Sequence, residues 1–91
     1  MHLATIQVEV QIGPGFRSKR KTVRAILDRV HRHFNVAVAE LVGASHPSKS
    51  TLGVASLGAS RREVREVLDR VAHALAAHPR VDVLGVDWTD H

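Results

Sequence analysis

Leu3-Ala4-Thr5-Ile6-Gln7-Val8-Glu9-Val10-Gln11-Ile12 alternates apolar and polar residues without a break. Ala4, Ile6, Val8, Val10 and Ile12 fall on one side and Thr5, Gln7, Glu9 and Gln11 on the other, which predicts a half-buried strand. Gly13-Pro14-Gly15 ends it, because glycine reaches backbone angles closed to other residues and proline cannot extend a ladder. The period then changes from two to 3.6. Val23, Ile26, Leu27, Val30 and Phe34 form the stripe of an amphipathic helix, with Ser18 as the expected cap and an end near Asn35.

Two short runs follow, Val36 to Val42 and Thr51 to Leu57, separated by the turn-rich stretch from Gly43 to Ser50. They read as a hairpin with a long loop. Ser60-Arg61-Arg62-Glu63 has capping-box spacing, and Val64, Val67, Leu68, Val71 and Leu75 give a second helical stripe. His78-Pro79 stops that helix, and Val81 to Trp88 supplies a last strand. The resulting βαββαβ order predicts an α+β, ferredoxin-like sandwich, a four-stranded antiparallel sheet with both helices on one face. The other face is left bare. Either Ala37, Ala39 and Leu41 or Leu84, Val86 and Trp88 lie there without a polar counter-set, so we expect a homodimer that covers the face or pairs a sheet edge.

A chain of 91 residues makes one domain. At this size only about 60 to 65% of the unfolded surface is buried, too little for a deep enclosed active site. With no cysteine there is no disulfide, thiolate nucleophile or Cys-based metal site. Met1-His2-Leu3-Ala4-Thr5 lacks the design of a secretory signal, and no apolar run approaches the roughly 20 residues that cross a bilayer. The expectation is a cytoplasmic protein without membrane contact, and no cofactor is expected.

The net charge of +4 is modest, but its placement is not. Arg17, Lys19, Arg20, Lys21, Arg24, Arg29 and Arg32 face one acid, Asp28, within that segment, which leaves the rest of the chain at −2. Five of these cations crowd the helix start, where the macrodipole already places partial positive charge, at a cost of a few tenths of a kcal/mol each. Free N–H groups beside clustered Lys and Arg describe a phosphate site. The competing reading is a solvated face with i,i+4 pairs Arg24 to Asp28 and Asp28 to Arg32. Arg17, Lys19, Arg20 and Lys21 have no acid within helical reach. The second helix is more nearly balanced, with Arg65 placed to pair Asp69 and Glu66 to pair Arg70.

Other motifs fail on chemistry. Gly43 to Ser50 almost spells a P-loop, but Ser48 replaces its second glycine and a strand follows where a helix must start. Gly13-x-Gly15-x-x-Ser18 is one glycine short of the dinucleotide fingerprint. No two of the seven histidines stand i,i+4 for metal binding, and His2 and His91 are expected to be mobile ends. An enzymatic reading would need His46, Glu40 and Glu9 to converge. The first strand offers no aromatic platform for stacked bases, so RNA would be held by the helix through phosphate and shape.

The stretch Phe16-Arg17-Ser18-Lys19-Arg20-Lys21-Thr22-Val23-Arg24, with Arg32 to Glu40 and Thr51-Leu52-Gly53-Val54-Ala55, resembles the YlxP-like family of small bacterial proteins. The resemblance covers most of the chain, although Gly15 to Ser18 departs from the Ser-Leu-Lys-Glu that usually precedes the Lys-Arg pair. It implies a ferredoxin-like domain of unknown function, and the neighbourhood of such genes implies a role near transcription or translation. The combined expectation is a non-enzymatic accessory protein that binds structured RNA or the ribosome through Arg17, Lys19, Arg20, Lys21 and Arg24 at the basic helix start. The alternative is a homo-oligomeric ligand-sensing or protein-interaction module with no RNA role.

Overall fold

The computed structural model of the chain describes residues 1–13 and 16–91, with the backbone alone at 16 and 17. Its elements run β1 (His2–Ile12), α1 (Phe16–His33), β2 (Ala37–Val42), β3 (Lys49–Gly58), α2 (Arg61–Ala76) and β4 (Val81–Asp90). The strands form one antiparallel sheet in the order β2-β3-β1-β4, the ferredoxin-like arrangement. β1 lies in the middle because its alternation suits a strand whose apolar face both helices cover. Ala4, Ile6, Val8, Val10 and Ile12 are all buried, with Leu52 and Val54 of β3 beside them. Val23, Ile26 and Val30 of α1 and Val64, Leu68, Val71 and Leu75 of α2 close the core from above.

α2 starts as its sequence dictates. The Glu63 N–H donates to Ser60 Oγ at 3.2 Å, and the Glu63 carboxylate accepts from the Ala59 N–H at 3.2 Å. Such a cap is worth about 1 kcal/mol. α1 differs from expectation: it begins at Phe16, so Ser18 stands inside the helix and does not cap it. Pro14 and Gly15 of the expected break lie outside the described residues.

β3 and β4 extend past their apolar runs, because pairing to β1 carries them on to His2 opposite Gly58 and Ala4 opposite Asp90. Ladder partners, more than composition, set strand ends. A register shift after Glu9 leaves Leu84 as the extra residue opposite β1. This settles which apolar set lies on the bare face. Val86 and Trp88 pack toward the helices, whereas Ala37, Ala39 and Leu41 stand on the open side with Leu84. Leu41 is 51% exposed and lies across Gly53, where a Cβ would come within 2.6 Å of its Cδ1. Gly53 therefore permits the close approach of β2 side chains to the β3 backbone.

The β2 to β3 loop is held by its own backbone. Gly43 adopts φ +94°, a left-handed conformation that favours glycine, and its carbonyl accepts from the His46 N–H at 2.9 Å. His46 Nδ1 in turn accepts from the N–H groups of Ser48 and Lys49.

Candidate nucleic-acid interface

α1 turns Val23, Ile26 and Val30 inward, and 3.6-residue periodicity therefore puts Lys21, Arg24, Arg29 and Arg32 toward solvent. No acidic residue stands in its first turn. Among the described residues, Lys21, Arg24 and Arg29 make no ion pair. The two pairs expected of a merely solvated face are absent among these residues. Asp28 instead uses its backbone carbonyl, which accepts from Arg32 Nε at 3.4 Å. Arg20 is also exposed, and with Arg24 it lines a groove closed by Glu40, Ala44 and Ser45.

Lys19 does not belong to this surface. It is fully buried, its ammonium donating to Glu40 Oε2 at 3.1 Å and to the Gly43 carbonyl oxygen. Ser50 Oγ donates to the same Glu40 oxygen at 2.5 Å. The expectation of a phosphate contact at Lys19 is thus corrected. Its acidic partner is out of helical reach and comes from β2. The network ties the first turns of α1 to the base of the β2 to β3 hairpin. It also occupies the Glu40 carboxylate, which would otherwise oppose an anion in the groove of Arg20 and Arg24. Breaking a buried pair on one side costs about 3 to 5 kcal/mol, because the other charge is left uncompensated.

The sequence carried a signal for this. Lys19 stands four residues before Val23 and seven before Ile26, on the buried stripe, and Glu40 stands two after Val38 on the helix-facing side of β2. Opposite charges on two core-facing positions are a candidate pair. Of the five residues expected to bind phosphate, the structure thus brings Arg20, Lys21 and Arg24 to the solvent face, and it removes Lys19. The side chain of Arg17 lies outside the described residues.

The charges of α2 are disposed differently. Arg62 Nε lies 3.2 Å from Glu66 Oε1, Arg61 reaches Asp90 at 3.3 Å, and Arg65 stands over the Trp88 ring at 5.0 Å. The pairs expected from spacing, Arg65 with Asp69 and Glu66 with Arg70, give way to these: Arg65 turns to Trp88 of β4 and Glu66 takes Arg62 one turn earlier on α2. Asp90 also accepts from His2 Nε2 at 3.0 Å. That hydrogen bond, with Arg61 and Arg65 nearby, holds the Asp90 carboxyl below the ordinary carboxylate range. His91 similarly meets Thr5 Oγ1 at 3.0 Å, so both terminal histidines are engaged, contrary to the expectation of free ends.

Glu9 and His46 line one cleft with Lys49 and Thr51, but Glu40 is not part of it, being turned toward Lys19 on the helix side of the sheet. The three groups required for an enzymatic reading therefore do not converge.

The sheet order, the two covering helices and the cationic outer face of α1 define a ferredoxin-like α+β protein with a basic helix. The chain belongs to the family described as protein of unknown function (DUF503), whose family model matches residues 2–88. It is similar to the uncharacterized protein YlxP of Bacillus subtilis (strain 168), 27% identical over 74 residues, which cover 79% of this chain and 80% of that protein. No helix is long and apolar enough to cross a membrane among the described residues.

Proposed function

We propose that the chain is a cytoplasmic, non-enzymatic accessory protein that docks on structured RNA, ribosomal RNA foremost, through the outer face of α1. Arg20, Lys21 and Arg24 are the phosphate contacts, continued along the helix by Arg29 and Arg32. The observation that carries this reading is the exposure of Lys21, Arg24 and Arg29 without carboxylate partners among the described residues. Exposed cations that make no ion pair among the described residues are open to phosphate, because no internal carboxylate must first be displaced.

The test is binding to purified ribosomal subunits across a salt series, with wild type beside an Arg20→Ala, Lys21→Ala, Arg24→Ala variant. Lys19 is left intact so that the fold is preserved. Wild type is expected to bind with a steep salt dependence, and the variant to lose affinity with a slope shallower by about two to three units. Equal binding by both proteins, or none by wild type, refutes it.

A second reading, a homo-oligomeric interaction module, is favoured by the open sheet face. Leu41 and Leu57 are 51% and 59% exposed beside Ala37, Ala39 and Ala55 on and next to the β2 edge. The opposite edge, β4, carries Asp82, Asp87 and Asp90, the charges by which edge strands resist pairing. A second copy seated on β2 and β3 would leave α1 free on the other side of the sheet, so the two readings are compatible. Leu41→Lys should convert such a dimer to monomer in sedimentation equilibrium, and a wild type that is monomeric at high concentration removes this reading.

A further inference from the structure

A groove of about 250 Å³ opens between α1 and the end of α2, away from the Arg20 and Arg24 groove. Its floor and walls are Ile26, Val30 and Phe34 of the first helical stretch and Ala74 and Leu75 of the second. Three nitrogenous side chains stand round this apolar surface, Arg29, His33 and His78, and among the described residues that line it there is no carboxylate. The Arg80 N–H donates to His78 Nδ1 at 3.2 Å, so the neutral ring carries its proton on Nε2 and offers a donor. Arg29 and His33 lie one helical turn apart on α1, so both reach the same rim.

We propose that this groove is a binding site for a small organic anion with an apolar body, a medium-chain or aryl monocarboxylate. The charge pattern selects the head, since a carboxylate accepts from the Arg29 guanidinium in a charge-assisted, two-pronged geometry and the imidazoles add further donors. The lining selects the body, since Ile26, Val30, Phe34 and Leu75 offer only hydrocarbon. The volume sets the size, because sites for drug-sized ligands run from roughly 300 to 1,000 Å³ and this one is smaller. Phe34, at the end of the apolar stripe, is only half-buried and so remains available to a ligand. Ala74 is the small member of the wall. A longer side chain there would occupy the space.

The experiment is a methyl-resolved NMR titration of the whole protein with octanoate, and with 1-octanol as the uncharged control. Octanoate should shift the Ile26, Val30 and Leu75 methyls saturably and more tightly than 1-octanol. Arg29→Ala should weaken octanoate by roughly tenfold or more, the loss of a hydrogen bond to a charged group, and leave 1-octanol unchanged. Ala74→Leu, which keeps a strong helix former at an exposed position, should abolish both while the remaining spectrum stays that of the folded protein. Equal affinity for the acid and the alcohol, indifference to Arg29→Ala, or shifts centred on Leu41 and Leu57 of the open sheet face would each overturn the assignment. Because Ala74 takes no part in the proposed RNA contacts, its variant separates failure of this site from failure of RNA docking.

Discussion

The two helices share one architecture and differ in what their charges do. Each lays an apolar stripe on the same sheet, Val23, Ile26 and Val30 from α1 and Val64, Leu68, Val71 and Leu75 from α2. α2 begins with a side-chain cap and an acid in its first turn, and three of its four arginines, Arg61, Arg62 and Arg65, are engaged with Asp90, Glu66 and Trp88. α1 begins with cations and no acid, against its own macrodipole. The difference teaches that a count of charges says little. What matters is whether the fold has already supplied the partner, and in α1 it has done so for Lys19 and has not done so for Lys21, Arg24 or Arg29.

The comparison is broken most forcefully at Lys19. Lys19→Ala should lower the free energy of unfolding by about 3 kcal/mol or more, measured by urea denaturation, because Glu40 and the Gly43 carbonyl lose a buried donor. A joint Lys19→Met and Glu40→Leu variant should recover much of that loss, since a well-packed apolar pair replaces the ionic one. Next in size is the α2 cap, where Ser60→Ala should cost about 1 kcal/mol in the same assay. Lys21→Glu should act in the opposite sense and stabilise by roughly 0.2 to 0.5 kcal/mol at low salt, because it places an acid one turn before Arg24 on the helix surface, while it weakens RNA binding. A variant that gains stability and loses its ligand would mark α1 as a functional compromise.

The smallest expected effect lies at the chain ends. Asp90 has a folded pKa below its unfolded value, so its contribution is complete above the unfolded value and is lost as pH falls through the folded one. Acid titration of stability should therefore show a limb below about pH 4 that Asp90→Asn flattens. His2→Ala should flatten it too, since the His2 hydrogen bond is the leading cause of the shift.

Most of the fold was legible because it is written in local periods. The alternation of β1, the two helical stripes and the Ser60 capping box each specify an element within a dozen residues, and the structure carries all of them. The strand ends were less legible because Gly58 and Asp90 are held by ladder partners that no local pattern announces. The bare sheet face was half legible, since the choice between the β2 and β4 apolar sets turned on one extra residue, Leu84. Within the candidate interface, reading charges along one helix placed Arg20, Lys21 and Arg24 toward solvent, where they stand, but misplaced Lys19, whose partner lies 21 residues away on a strand. The same limit explains part of α2, where Arg61 and Arg65 found Asp90 and Trp88 across the fold while Arg62 paired with Glu66 on the helix.

The most direct test of the account sets the two helices against each other at equal loss of charge. One variant carries Lys21→Ala, Arg24→Ala and Arg29→Ala, the other Arg61→Ala, Arg62→Ala and Arg65→Ala, and both are measured on ribosomal subunits at one salt concentration and by urea denaturation. The account predicts that the first variant loses binding and keeps its stability within about 0.5 kcal/mol, while the second keeps binding and loses stability. Equal loss of binding in both would contradict it, because net charge alone, and no surface of α1, would then hold the RNA.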